Sequence, residues 1–130
     1  FFVIKLVRIL FLFTDPELGR VGLSEKAARE AGYRLKVGQI PMAWVARAIE
    51  KNGTAGLMKI VIDADTDRIP GAAILGVAGG ELVQTPMALM MADAPWTTFQ
   101  QAVFIHPTLA EGFFTLMDNV ELVGEEKDDA

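Results

Sequence analysis

The sequence predicts an α+β domain in which an antiparallel sheet carries helices. Two runs with strand character, residues 57–63 and 69–77, flank a polar turn at 65–68 and predict a β-hairpin. Pro70 has no backbone N–H, so either the second strand lies at a sheet edge or Pro70 stands at the start of that strand. Helical spacing of apolar residues dominates the chain after Gly80. The 130 residues, 52% hydrophobic and 22% charged, are enough for one domain with its own core.

The first residues of the chain are strongly apolar. Residues 1–13 contain Lys5 and Arg8 and are shorter than the about 20 residues that span a bilayer. They also lack the charged start and small-residue cleavage site of a signal peptide. They fit a buried strand, or a chain that starts in the middle of a larger protein. We favour the second interpretation, with residues 1–12 as an altered junction.

Local signals place the first helix and the strand after it. Ser24 is a predicted N-cap, residues 25–31 are a predicted helix, and Gly32 suits the position that ends it. Residues 33–40 are predicted to be extended. Residues 42–52 fit a short helix or a crossing loop.

The next helices follow the hairpin. Residues 81–91 have apolar residues along one side, and Pro86 should kink this helix or mark a late start. Thr97 and Gln100 have the spacing of a capping box, which predicts that a short helix begins there.

A second capping box, Thr108 with Glu111, predicts the last helix. Apolar residues continue at helical intervals from there as far as Val120. Residues 123–130 are a predicted acidic tail.

Composition excludes several functions. A net charge of −5 disfavours nucleic-acid binding, and no segment predicts a membrane span. The chain has no cysteine and one histidine, so it cannot supply a thiolate zinc site or several histidine ligands. Asp63, Asp65 and Asp67 alternate as in a calcium loop, but Arg68 stands where that loop needs glycine. We therefore predict no metal site.

One segment suggests chemistry, His106 with Glu111 five residues later. Histidine changes charge most readily near neutral pH, and a returning carboxylate would fix its tautomer and favour the protonated ring. This is the second and third member of a nucleophile–His–acid arrangement without the nucleophile. A structural alternative stands beside it, since Glu111 could simply cap its own helix. A small hydrolase is the weakest hypothesis, because the single serine, Ser24, lies in no nucleophile-elbow pattern.

Two motifs resemble the C-terminal dimerisation domain of the pyridine nucleotide–disulfide oxidoreductases, the family of glutathione reductase, dihydrolipoamide dehydrogenase and mercuric reductase. Residues 106–111, His-Pro-Thr-Leu-Ala-Glu, are similar to the family signature His-Pro-Thr-x-x-Glu. Residues 13–24, FTDPELGRVGLS, are similar to its entry segment, FTDPE-x-x-x-VGL(T/S)E. The hairpin at 56–76 and the helix that opens at 80–82 also resemble the family. The resemblance implies a dimerisation domain at residues 13–122.

The resemblance also implies a mechanism and partners. A complete subunit carries an FAD domain with a redox-active Cys pair, an NAD(P)H domain and this domain, and it works as a cytoplasmic homodimer. His106 matches the histidine that exchanges protons with the partner subunit's thiols, and Glu111 matches its acidic partner. His106 and Pro107, joined by a peptide bond that is usually cis in such proteins, would touch the flavin edge only in the full-length dimer. The isolated chain should hold no cofactor and be inactive.

The chain departs from the family in places. Mercuric reductases usually carry a Cys pair near the C-terminus, which is absent here, so a mercuric substrate is doubtful. Residues 91–96 differ from the glutathione reductase loop and are more similar to a poorly characterised, mercuric-reductase-like branch. The competing hypothesis is a free-standing oligomerisation or binding module without chemistry of its own.

Overall fold

A computed structural model describes residues 7–124. In that part of the chain, six strands form one sheet in the order β1-β2-β5-β4-β3-β6, and every neighbouring pair is antiparallel. The strands are β1 (Ile9–Leu12), β2 (Leu18–Gly22), β3 (Leu35–Pro41), β4 (Leu57–Asp63), β5 (Gly71–Leu75) and β6 (Val120–Leu122). The helices are α1 (Glu25–Glu30), α2 (Ala46–Glu50), α3 (Gly79–Leu82), α4 (Gln84–Met91), α5 (Thr97–Gln101) and α6 (Gly112–Met117). The α+β class with an antiparallel sheet is confirmed.

The main core lies between one face of the sheet and helices α2 to α6. The alternation of β4 sends Met58, Ile60 and Ile62 to this face, where all three are fully buried. Phe99 of α5 and Phe113 of α6 stack against each other with ring centroids 5.0 Å apart. The core thereby fixes the two helices that flank the loop carrying His106.

A smaller core lies on the opposite face. Ala28 of α1 packs with Leu35 and Val61, which point away from the main core. Lys59, on the same face of β4 as Val61, forms an ion pair of 2.6 Å with Glu25 at the start of α1. Both contacts hold α1 against the sheet.

The predicted first helix and hairpin are confirmed. The Ser24 hydroxyl accepts a hydrogen bond from the Ala27 amide at 3.1 Å, and Gly32 has a φ of 89° just after α1. Strands β4 and β5 pair along the predicted hairpin. Pro70 immediately precedes β5, so the strand-start prediction is correct. The edge alternative is wrong, because β5 lies between β2 and β4.

Two central regions are divided more finely than the sequence predicts. Residues 42–52 form one 3₁₀ turn, Met42–Trp44, followed by the short helix α2. The helix predicted at 81–91 consists of α3 and α4, with Val83 between them. Pro86 lies in the first turn of α4, where a backbone N–H would have no partner within that helix. A late start is therefore the better of the two expectations.

The N-terminal segment is a strand but not a buried one. Ile9–Leu12 forms β1 at the sheet edge, and Ile9, Leu10 and Leu12 are exposed. The buried-strand interpretation is wrong for this part because β1 pairs only with β2. Residues 1–6 lie outside the described part, and the junction assigned to residues 1–12 stays a prediction.

The last helix is shorter than predicted. Helix α6 ends at Met117, and Val120 belongs to β6, which pairs with β3 at Gly38. The helical spacing of Val120 was misleading because it meets the main core from a strand instead. Most of the predicted acidic tail, residues 125–130, lies outside the described part.

Candidate functional site

The loop between α5 and α6 exposes several side chains to solvent, and two further side chains of the loop anchor it to the core. Phe104 and Leu109 pack against the main core. Between and beside them, Val103 is 99% exposed, Ile105 78% exposed and the His106 side chain 67% exposed. Apolar side chains at such exposure are typical of a surface that another molecule covers.

The structure brings His106 and Glu111 together. The imidazole Nδ1 lies 2.7 Å from one carboxylate oxygen of Glu111 and 2.9 Å from the other. Nε2 makes no hydrogen bond to any residue of the described range 7–124. A carboxylate at this distance holds the ring with Nδ1–H as donor and leaves Nε2 as the reactive nitrogen. The sequence allowed the Glu111 carboxylate either to pair with His106 or to cap the helix, and in the structure it pairs with His106.

The other half of the predicted capping box forms a hydrogen bond just ahead of the helix, because α6 begins at Gly112 with Glu111 at its N-cap and has no side-chain capping bond. The Thr108 hydroxyl accepts a hydrogen bond from the Glu111 amide at 3.2 Å, while the Glu111 carboxylate is turned toward His106. The same hydroxyl donates to the Ile105 carbonyl at 2.7 Å. The sequence predicts only a capping role for Thr108, and the structure adds this second bond. The Thr-x-x-Glu spacing predicts the bond between Thr108 and the Glu111 amide, but nothing in it predicts the bond to the Ile105 carbonyl.

Pro107 lies beside His106 on the exposed side of the loop, and the His106–Pro107 peptide bond is cis, as the resemblance implies. Residues that touch a flavin bound to another subunit must be exposed in the single chain. Both His106 and Pro107 are exposed, and their contact with the edge of a flavin stays a prediction.

The other predicted capping box does not form. Helix α5 begins at Thr97 as expected, but it has no side-chain capping bond, and Trp96 occupies the N-cap position. Trp96 is instead held by Asp67, which accepts from its indole N–H at 3.1 Å and from its backbone amide at 2.9 Å. Lys36 lies 5.7 Å from the centre of the indole ring. Tertiary contacts therefore set the start of α5.

The alternating aspartates shape a turn. Asp63 accepts hydrogen bonds from the Asp65 amide and the Thr66 hydroxyl, both at 2.9 Å. Within residues 7–124, no group of three or more His, Cys, Asp or Glu side chains could hold a metal ion. Across the same range, no helix has the length and apolar character needed to cross a membrane.

An open apolar cavity of about 790 Å³ lies between β1 and helices α3 and α4. Phe11, Phe13, Val83 and Met87 are among its lining residues, and Phe13 is 93% exposed. No residue of the His106 loop lines it, so it is separate from the candidate site.

Known proteins resemble this chain in sequence and structure. The family model for the pyridine nucleotide-disulphide oxidoreductase dimerisation domain matches residues 10–117. A dihydrolipoyl dehydrogenase of Thermus scotoductus is 39% identical over 101 residues, which are 78% of this chain and 22% of the relative. The probable pyridine nucleotide-disulfide oxidoreductase RclA of Escherichia coli is 34% identical over 110 residues, 85% of this chain and 25% of the relative.

The solved structures agree. The HOCl-induced flavoprotein disulfide reductase RclA of Escherichia coli superimposes with a TM-score of 0.84 at 32% identity, over 88% of this chain and 26% of that one. This chain thus spans about a quarter of the length of these relatives. The assignment to a mercuric-reductase-like branch stays a prediction. The chain belongs to the family of pyridine nucleotide-disulphide oxidoreductase dimerisation domains.

Proposed function

We propose that this domain serves an FAD-dependent pyridine nucleotide–disulfide oxidoreductase as its dimer interface and as the source of an acid–base pair. His106, held by Glu111, exchanges protons with a redox-active thiol of the partner subunit. The observation that carries the proposal is the 2.7 Å contact between His106 Nδ1 and Glu111 on an otherwise exposed loop. The flavoprotein RclA, which shares the fold at 32% identity, supports the flavin-linked context.

The chain cannot perform the redox step alone. It has no cysteine, so the disulfide has to come from another part of the complete enzyme. FAD, when bound there, supplies the electron transfer from NAD(P)H to the disulfide. We also propose a cytoplasmic location, since a chain without cysteine fits a reducing compartment.

The residues of this chain handle a proton. Glu111 accepts from Nδ1–H and leaves the lone pair of Nε2 facing outward. A free thiol has a pKa of about 8.5 and is mostly protonated near neutral pH. Nε2 takes the thiol proton as the thiolate forms, and Glu111 stabilises the resulting imidazolium. The proton returns from Nε2 to the thiolate in the reverse direction.

The decisive experiment uses the complete enzyme with His106→Gln. We expect the thiol-exchange half-reaction to slow by about 10²–10⁴-fold while flavin reduction by NAD(P)H stays near normal. Glu111→Gln should slow the same step less, because the base itself remains. Gln100→Ala, exposed on α5, is the control and should leave both half-reactions unchanged.

Two results would contradict the proposal. Unchanged disulfide turnover in His106→Gln, with the dimer intact, would make His106 a structural residue. A parent gene without FAD and Cys-pair motifs upstream of Phe1 would favour the free-standing oligomerisation or binding module.

A further inference from the structure

The loop that carries His106 and Glu111 has one internal hydrogen-bond bridge, the Thr108 hydroxyl. Its O–H donates to the carbonyl oxygen of Ile105, the residue before His106, at 2.7 Å. It also accepts from the amide of Glu111 at 3.2 Å. One side chain therefore ties the backbone before the imidazole to the backbone that bears the carboxylate.

The bridge is placed where the loop needs it. The His106 side chain is 67% exposed, so packing does little to hold the imidazole, whereas Glu111 lies between the packed residues Ala110 and Phe113. The nearest packed anchors, Phe104 and Leu109, lie outside the segment from Ile105 to Pro107. Without the Thr108 hydroxyl, the Ile105 carbonyl and the Glu111 amide would each turn to water, and the contact between ring and carboxylate would loosen.

We propose that Thr108 is a positioning residue, whose hydroxyl holds Glu111 against Nδ1 of His106 and thereby sets the imidazole tautomer. A role of Thr108 in catalysis rests on the proposed function, but its effect on the His106 tautomer can be measured on this chain alone. The tautomer matters because only a ring with Nδ1–H presents Nε2 as a base.

The chain is well suited to a direct test, because His106 is its single histidine and its ring gives the only imidazole signals. The ¹⁵N chemical shifts of a neutral imidazole distinguish the Nδ1–H from the Nε2–H tautomer. At alkaline pH the unmodified 130-residue chain should show mainly the Nδ1–H form. Thr108→Val should shift the ring toward the Nε2–H form, as Glu111→Ala should. Thr108→Ser, which keeps the hydroxyl, should restore the original signals.

Thr97→Val is the matched control. Thr97 has the same Thr-x-x spacing to a polar residue, but it forms no capping bond, so its loss should leave the imidazole signals unchanged. If Thr108→Val stays folded by circular dichroism and keeps the original tautomer, Thr108 has no positioning role. If Glu111→Ala, which removes the acceptor, also leaves the imidazole signals unchanged, the His106–Glu111 pair does not form, and the proposed function loses the observation on which it rests.

A measurement on the unmodified chain covers the case in which Thr108→Val does not fold. The Glu111 amide should exchange with solvent more slowly than that of Ala110, because Thr108 Oγ is its acceptor and Ala110 has none among residues 7–124. Equal exchange rates would mean that the bridge is absent in solution and would overturn the proposal.

Discussion

Gly56 shows how a single residue can be fixed by the backbone around it. Its φ of 109° is a conformation that side chains rarely adopt, and an added Cβ would overlap the Leu75 carbonyl oxygen. Gly32 also has a positive φ, of 89°, but its Cβ position is open. Replacing Gly32 by alanine therefore costs only the unfavourable backbone conformation, whereas replacing Gly56 adds a steric overlap.

We expect Gly56→Ala to lower the free energy of unfolding by about 3 kcal/mol or more, through strain and overlap together. Gly32→Ala, the control, should lose only about 1 kcal/mol, from the conformation alone. Urea unfolding followed by circular dichroism measures both. Equal losses would contradict the role of the Leu75 carbonyl.

Glu25 links pH to the attachment of α1. Its hydrogen bond to Lys59 lowers the pKa of the Glu25 carboxyl below the ordinary value of 4.5; burial opposes this, and Arg29 adds to the lowering. A carboxyl with a depressed folded-state pKa stabilises the fold above its unfolded pKa. That contribution is lost as the pH falls through the folded value.

Glu25→Gln should therefore cost about 0.5–1 kcal/mol at pH 7, and the difference from the original chain should shrink as the pH falls below about 4.5. Glu30→Gln is the control, because Glu30 meets Lys26 only at 3.9 Å and both are highly exposed. Unfolding free energies measured across this pH range test the expectation, and a constant difference between the chains would refute it.

At the scale of elements, α1 depends on its cap. The helix has six residues, fewer than an isolated helix needs for stability in water, and buries only Ala28. The Ser24 hydroxyl satisfies the Ala27 amide at its start. Helix α5 is of similar length but is held by Trp96 and Asp67 instead of a side-chain cap.

Ser24→Ala should accordingly lower the free energy of unfolding by about 1 kcal/mol, the usual cost of a lost N-cap. Thr97→Ala should change it by no more than a few tenths of a kcal/mol, because α5 has no side-chain capping bond to lose. Thermal or urea unfolding of the two variants distinguishes them. A loss at Thr97 as large as that at Ser24 would show that the capping box forms after all.

Across the described part of the molecule, apolar side chains are exposed on α4, on α6 and on the loop between α5 and α6. Met91 of α4 is 64% exposed and Phe114 of α6 is 47% exposed, and Val103 and Ile105 of the loop are 99% and 78% exposed. The open cavity beside Phe13 adds a second apolar region. Exposed apolar side chains of this kind fit a two-fold interface, and the apolar cavity is a second surface that favours association.

We expect the chain to form a symmetric dimer, and Phe114→Ser to weaken it. Tyr33→Ser is the control, since Tyr33 has similar exposure but adjoins α1 on the other face of the sheet. Analytical ultracentrifugation over a range of concentrations measures both. A monomer at high concentration would count against the dimer, and equal weakening by both variants would place the interface elsewhere.

Flavin should bind only in the complete enzyme. The nominated contacts, His106 and Pro107, lie on one exposed loop and could touch only the edge of the cofactor. The purified chain should therefore be colourless and should not retain added FAD on gel filtration. Stoichiometric absorbance in the flavin bands would contradict this expectation.

Features that depend on neighbours within a few residues were predictable from the residue types. Ser24 caps α1, Gly32 follows it with a positive φ, and the hairpin of β4 and β5 forms around its polar turn. Turn and capping bonds close over short stretches of chain, so residue types alone predict them. The motifs that carried the family resemblance were also readable, because they are contiguous.

Only the tertiary structure decided the pairings between distant segments. Strand β6 joins β3 across about eighty residues, and β1 lies exposed at the edge because the helices cover the inner strands. The tertiary structure also decided the geometry of the site. The spacing of His106 and Glu111 allowed the carboxylate either to cap the helix or to pair with the imidazole. The Thr108 hydroxyl took the amide, the carboxylate turned to the imidazole, and the packing of Phe104 and Leu109 set the loop that made this possible.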